Sequence, residues 1–139
     1  MKNILEFLRE KNLKKTPLRV AILEIFSSIE KPITISTLEK TLHQYPFSSN
    51  QTSIYRQIET LVQHDIIQSI ILKNSTAYYE LQKHHHHHFI CEECQDITCL
   101  DSDELENSIH LIEKKLMNQG VSISSHQVSF HGKCKPCSV

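Results

Sequence analysis

Two Cys-x-x-Cys pairs, Cys91-Glu92-Glu93-Cys94 and Cys134-Lys135-Pro136-Cys137, frame the last part of this 139-residue chain. Each pair brings two sulfurs within reach of one ion. Together they supply the four thiolates of a closed tetrahedral zinc site. A second half stapled in this way is expected to fold around a metal. Five consecutive histidines, His84 to His88, run straight into Phe89, Ile90 and the first pair. With the sulfurs committed, the histidines and nearby carboxylates remain as ligands for other ions. A chain that needs one metal for its shape and carries ligands for more is expected to report on metal.

Two simpler readings are disfavoured. Purification tags lie at termini or in linkers, whereas this run lies between the strand-like segments Tyr78-Tyr79-Glu80-Leu81 and Phe89-Ile90. Disulfides fit poorly with five cysteines, an odd number, spaced as near neighbours. The start, Met1 to Leu8, is too charged for a secretory leader, and no apolar run is long enough to span a bilayer. The expectation is a reduced, soluble, cytoplasmic protein with no membrane partner.

Charge divides unevenly along the chain. Residues 1–79 carry ten Lys and Arg against seven Asp and Glu, while residues 80–139 carry five against nine. Lys11, Lys14, Lys15 and Arg19 occur with no acid between Glu10 and Glu24. Such a patch suits a phosphate backbone, although alone it is also what a solvated face looks like.

The first half reads as helices followed by a hairpin. Residues 2–11 form a short amphipathic helix. Thr16-Pro17 opens a second, with Leu18, Ala21, Ile22, Ile25, Phe26 and Ile29 on one face. Lys31-Pro32 breaks it. Ser36-Thr37-Leu38-Glu39 is a capping box for a third helix that runs to about Gln44, and Tyr45-Pro46 ends that one. Ser48-Ser49-Asn50-Gln51 is a further box. The helix it opens points Ile54, Ile58, Leu61 and Val62 inward. Strands are expected over 66–72 and 76–81, joined at Lys73-Asn74-Ser75. Three helices and a hairpin is the order of a winged helix-turn-helix.

The second half reads as a small α/β unit. Strands are expected at Phe89–Cys91, Asp96–Leu100, Val121–Ser125 and Gln127–Phe130, with a helix at Asp103–Asn118. Leu105, Ile109, Ile112 and Leu116 stripe that helix. Acids open it, lysines close it, and Gly120 is its C-cap. So small a sheet has exposed edges, which points to pairing with a second copy. The fold class is therefore α+β, with a winged-helix domain at 1–82, a metal-binding dimerisation domain at 83–139 and a hinge at about 81–88.

Several separated motifs then coincide. Leu13-x-x-Thr16-Pro17-x-Arg19, Thr52-Ser53-Ile54-Tyr55-Arg56, Tyr79-Glu80-Leu81, His84–His88-Phe89-Ile90-Cys91-x-x-Cys94 and Gly132-x-Cys134-x-x-Cys137 follow in that order. Over nearly its whole length the chain resembles the ferric uptake regulator family of bacterial metal-responsive repressors. The resemblance implies a homodimer that closes onto an inverted-repeat operator in double-stranded DNA when metal binds at the hinge. It also implies no enzymatic activity and no small-molecule substrate.

The resemblance further implies three metal sites. The structural zinc site is Cys91, Cys94, Cys134 and Cys137. The hinge sensor site is Glu80, His86, His88 and Cys99. The third is His85, His87, Glu106 and His126. Alternate residues of a strand share a face, so His86 and His88 point one way and His85 and His87 the other. DNA contacts are expected from Thr52, Ser53, Tyr55 and Arg56 on the last helix of the winged domain, with Lys14, Lys15 and Arg19 on the phosphates.

The sensor metal follows from donor chemistry. Cys99 stands where iron and manganese sensors commonly have a carboxylate, Pro32 where iron sensors often have a histidine, and His87 where they often have aspartate. Softer ligands favour regulatory Zn²⁺ over Fe²⁺ or Mn²⁺, which points to the zinc-sensing branch. Against that, zinc members are expected to carry a sensor cysteine on the hairpin side, where this chain has Glu80. Cys99 itself is either a ligand or a buried core cysteine. The alternatives are an iron-responsive or a manganese- or peroxide-responsive member, a zinc-stapled interaction module, and a zinc hydrolase. The hydrolase would need an open coordination position and a general base, and the chain has no His-Glu-x-x-His motif.

Overall fold

The computed structural model describes residues 3–82 and 85–139. His84 and part of the expected hinge lie outside the described residues. The chain forms two compact units, Met1–Lys83 and His84–Val139. No described helix is long and apolar enough to cross a membrane.

The described residues of the first unit form α1 (Ile4–Glu10), α2 (Pro17–Ser28), α3 (Ile35–Leu42), α4 (Gln51–Gln63), β1 (Ile67–Ile71) and β2 (Ala77–Leu81). Each helix begins where a short polar side chain accepts an otherwise unpaired N–H of the first turn. Asn3 caps α1 and Thr16 caps α2, with Pro17 at its first position. Thr34 caps α3, rather than the Ser36 box, and Asn50 caps α4, two residues later than the Ser48 box. Ile35 is buried, so the helix must start early enough to include it, and Asn50 is extended with its Oδ1 2.8 Å from the Ser53 N–H.

Apolar positions at helical spacing meet in one core. Leu8, Ile22, Phe26, Leu38, Ile54, Leu61 and Ile67 are almost fully buried within it. Burying such a side chain contributes about 1.5–3 kcal/mol relative to exposure. The antiparallel hairpin β1–β2 pairs Ile67 with Leu81 and Gln68 with Glu80. Its turn places Ser75 at φ 65°. The segment before α3 joins the hairpin, because Ile33 and Tyr79 exchange backbone hydrogen bonds of 2.9 and 2.8 Å. This is a winged helix-turn-helix, with α4 as the helix preceding the wing.

The second unit holds β3 (His87–Cys91), β4 (Ile97–Leu100), α5 (Asp103–Asn118) and β5 (Ser129–Gly132), then a 3₁₀ turn at Lys135–Ser138. The sheet order is β4-β3-β5, with β3 antiparallel to β4 and parallel to β5. Ser102 caps α5, and Gly120 follows it at φ 83°, a left-handed conformation that suits glycine.

Two strand expectations change. Val121–Ser125 alternates like a strand but has no ladder partner among the described residues. The last strand is Ser129–Gly132 rather than Gln127–Phe130. Alternation identifies extended chain, while a strand also needs a neighbour to accept its hydrogen bonds. On α5 the expected stripe is buried at Ile109 and half-buried at Leu105, whereas Ile112 is 57% exposed and Leu116 is exposed; Leu111, beside the stripe, is 63% exposed.

Candidate metal centres and nucleic-acid interface

The parallel β3–β5 ladder brings the two cysteine pairs together. Cys91 sits opposite Gly132, and the Glu92 N–H donates to the Gly132 carbonyl at 2.8 Å. After Cys91 the chain reverses tightly. The Gln95 N–H donates back to the Cys91 carbonyl at 2.9 Å, and Gln95 has φ 61°. At the other pair Cys134 precedes the 3₁₀ turn, and its carbonyl accepts the Cys137 N–H at 3.0 Å, which keeps the two cysteines close. The four sulfurs all lie within 4.8 Å of one another. A tetrahedron with Zn–S bonds of about 2.3 Å has S···S edges of about 3.8 Å. Cys94 and Cys134 stand 3.7 Å apart, close to that edge and far beyond a disulfide bond of about 2 Å.

The thiols respond to this crowding. The Cys91 thiol is lowered to about 6, first by the backbone N–H of Cys134 and then by that of Cys94. Cys137 is pushed up to about 12, first by its hydrogen bond with the Cys134 thiol and then by burial. Sulfurs held this close cannot all carry negative charge unless a cation sits among them. The donor set and spacing therefore fit a four-coordinate dication with no position left open.

A second group gathers His85, His87, Glu106 and His126, whose ligand atoms also lie within 4.8 Å of one another. His87 is buried in β3, and its Nε2 meets Glu106 Oε1 at 2.5 Å. Nε2 of His85 lies 3.4 Å from the same oxygen and 2.6 Å from Nε2 of His126. Burial works to raise the Glu106 pKa, but the His87 hydrogen bond and the nearby histidines outweigh it and hold the carboxylate below its usual range. Burial also lowers His85, against the pull of Glu106. Three imidazoles and a carboxylate aimed at one point fit a borderline divalent ion.

On the other face of the histidine run, His86 and His88 have ring centroids 4.8 Å apart. His88 pairs with Cys99 across β3–β4. The ligand atoms of His86, His88 and Cys99 lie within 4.8 Å of one another. Cys99 is exposed, so it is not an apolar core cysteine. Glu80 belongs to the first unit. It is buried on β2 and accepts a hydrogen bond from Gln68 Nε2.

In the first unit α4 turns one face outward. Thr52, Tyr55 and Arg56 are exposed, Ser53 is half-buried, and Ile54 and Ile58 are inward. Lys14 and Lys15 are exposed on the segment before α2. Arg19 differs from them, being only 8% exposed. Its Nε donates to Gln57 Oε1 at 2.9 Å and its guanidinium also donates to the Lys14 carbonyl. It therefore fastens the basic segment to α4 from within.

Three residues that the sequence reading left out take part in these sites. Glu113 and His110 lie beside His126, at 2.7 Å for Glu113 Oε1 to His126 Nδ1 and 3.2 Å for Glu113 Oε2 to His110 Nδ1. Gln57 receives Arg19. Glu113 had a signal in its spacing. It follows Glu106 by two helical turns, so both carboxylates share a face of α5.

The Ferric uptake regulator family profile matches residues 10–131. The Ferric uptake regulation protein of Staphylococcus aureus is 31% identical to this chain over 135 residues, which is 96% of this chain and 94% of that protein. The fold is similar to that of the ferric uptake regulator Fur of Helicobacter pylori, with TM-score 0.82, 22% identity, and 98% of this chain and 89% of that one covered. Three functional metal-binding sites are described for the Helicobacter protein. It is also similar to the ferric uptake regulator of Francisella tularensis with iron, with TM-score 0.77, 26% identity, and 91% and 96% covered.

Proposed function

The chain belongs to the ferric uptake regulator family, and from that premise we propose that it is a homodimeric repressor whose regulatory ion is zinc. It is a metal-responsive transcription regulator, not an enzyme. The observation that carries the zinc assignment is the place of Cys99, whose exposed thiol stands with His86 and His88. A thiolate in that company favours Zn²⁺ over Fe²⁺ and Mn²⁺.

In this reading Cys91, Cys94, Cys134 and Cys137 hold structural Zn²⁺. Glu80, His86, His88 and Cys99 hold the sensor ion, and His85, His87, Glu106 and His126 hold a third ion. The three groups equal in number the sites described for the Helicobacter protein. The ion at the sensor site binds better to the DNA-competent arrangement of the dimer and so shifts the population toward it. The uncovered Leu111 and Ile112 side chains of α5 supply apolar surface for the dimer contact.

On the operator, Tyr55 meets thymine methyls, Thr52 and Ser53 hydrogen-bond base edges or phosphates, and Arg56 reaches a base or phosphate. Lys14 and Lys15 neutralise the backbone, and Arg19 supports them through the Lys14 carbonyl. Cytoplasmic placement follows from binding chromosomal DNA.

One observation favours a second reading. The Staphylococcus relative is a ferric uptake regulation protein, so iron is the rival sensor metal. The test is to strip the sensor and third ions, add back Zn²⁺, Fe²⁺ or Mn²⁺ singly, and measure retention of duplex DNA from the chain's own upstream region. Restoration by Zn²⁺ at the lowest free concentration supports the proposal. Restoration by Fe²⁺ or Mn²⁺ alone transfers the assignment to that metal. No restoration by any ion removes the repressor reading.

A further inference from the structure

His126 belongs to no helix or strand among the described residues. Regular backbone therefore does not aim its ring, and something else must. Its Nε2 points at His85 Nε2, 2.6 Å away, inside the group formed with His87 and Glu106. Its Nδ1, on the far side of the ring, meets Glu113 Oε1 at 2.7 Å. The other oxygen of Glu113 meets His110 Nδ1 at 3.2 Å, and His110 is exposed on α5. Each oxygen of this carboxylate is thus held by a different histidine, on the helix that also supplies Glu106.

We propose that Glu113 is a positioning residue for the His85–His87–Glu106–His126 metal site, fixing the tautomer and the orientation of His126. The inference rests on the reading of that group as a metal site. An ionised carboxylate accepts hydrogen bonds only, so it requires Nδ1 of His126 to carry the proton. The lone pair is then left on Nε2, the nitrogen that faces the other ligands. Without Glu113 the neutral ring is free to take the other tautomer, which presents N–H to the ion, and to rotate out of the site. His110 steadies Glu113 in turn. The spacing fits this division of labour. Two helical turns, about 10.5 Å, separate Glu106, which touches the ligand cluster, from Glu113, which stands behind one of its members. Glu113 Oε1 meets Nδ1 of His126, whereas Nε2 of the same ring faces the cluster, so Glu113 acts through the imidazole rather than on the ion.

The test uses full-length dimer that retains its structural zinc, in a His86→Ala background so that the sensor group does not compete. Co²⁺ is the probe. Its affinity, stoichiometry and ligand-field spectrum are measured for Glu113→Ala, Glu113→Gln and His126→Ala. Histidine ¹⁵N shifts of the cobalt-free proteins report the His126 tautomer. His126→Ala is expected to lose one Co²⁺ per chain. Glu113→Ala is expected to keep the stoichiometry and the spectrum but weaken binding by about 10- to 100-fold, with His126 in mixed tautomers. Glu113→Gln keeps an acceptor oxygen and is expected to restore both the Nδ1–H tautomer and most of the affinity. If Glu113→Ala binds Co²⁺ normally while His126→Ala does not, the inference fails and the site stands. If neither change matters, the site reading itself fails. If Glu113→Gln is as weak as Glu113→Ala and alters the spectrum, Glu113 is a direct ligand and the positioning role is wrong.

Discussion

Arg19 donates its Nε–H to Oε1 of Gln57 across 2.9 Å, joining the start of α2 to the middle of α4. The same guanidinium donates to the Lys14 carbonyl, so one buried cation ties the basic segment to the helix that bears Tyr55 and Arg56. Hydrogen bonds to charged groups contribute about 1.5–3 kcal/mol each. Arg19→Ala is expected to destabilise the first unit by about that much, seen as a lower urea midpoint, and to weaken DNA binding as a consequence. Arg19→Lys recovers little, because an ammonium cannot reproduce the fork. An unchanged urea midpoint together with lost DNA binding would show instead that Arg19 leaves this contact to meet a phosphate.

In the proposed reading the sulfur cluster makes the second unit conditional on metal. Structural Zn²⁺ binds zinc-finger peptides with about 10–16 kcal/mol, as large as the whole stability of an ordinary domain, about 5–15 kcal/mol. Cys94→Ser is expected to remove one zinc per chain, unfold the second unit and abolish the dimer. Zinc content, sedimentation and thermal unfolding check this. A Cys94→Ser protein that remains dimeric with an unchanged melting temperature would rule out a structural role.

Much of this architecture was legible from local chemistry. Thr16-Pro17 marked the start of α2 because a hydroxyl cap and a proline at the first turn both suit an unpaired helix end. The alternation of the histidines separates His86 and His88 from His85 and His87, and the ring pairs follow that division although β3 begins only at His87. What escaped was set by distant partners. Val121 to Ser125 alternates well but has no ladder among the described residues, and nothing local reports a missing neighbour. Arg19 looked like a surface base because its neighbours are lysines, whereas Gln57, thirty-eight residues away, decides that it is buried. Glu113 is hidden from the sequence for a related reason. It touches a ligand rather than the ligand cluster, and only the path of the chain after Gly120 brings His126 to it.

The proposed DNA recognition through α4 carries a test that separates phosphate contact from base reading. Arg56 is exposed beside Tyr55 on the outward face of the helix. Arg56→Ala is expected to leave metal content unchanged and weaken operator binding. If Arg56 meets a phosphate, the loss is uniform across sequences and the salt slope of log K falls by about one. If it reads a base, the loss is about 1–3 kcal/mol and confined to operators with the preferred base. Both quantities come from binding titrations at several salt concentrations. Arg56→Ala binding indistinguishable from the parent in affinity and salt slope would exclude α4 as the reading helix.

The choice of sensor metal turns on a single thiol. Cys99 sits opposite His88 in the β3–β4 ladder, exposed, with its sulfur near the ligand atoms of His86 and His88. A carboxylate there would suit harder ions such as Mn²⁺, whereas a thiolate favours Zn²⁺. His86→Ala is expected to give a folded dimer that keeps its structural zinc and no longer binds DNA in response to metal. Cys99→Ser is expected to weaken the Zn²⁺ response more than the Fe²⁺ or Mn²⁺ response. Co²⁺ gives a direct check, since each cobalt–thiolate bond adds sulfur-to-metal charge-transfer absorption. With zinc kept in the four-cysteine site, Co²⁺ added to the parent should produce such a band, and Co²⁺ added to Cys99→Ser should not. If the parent shows no band, or Cys99→Ser answers zinc as the parent does, Cys99 is not a ligand. The sensor ion would then rest on nitrogen and oxygen donors, and iron would become the better assignment.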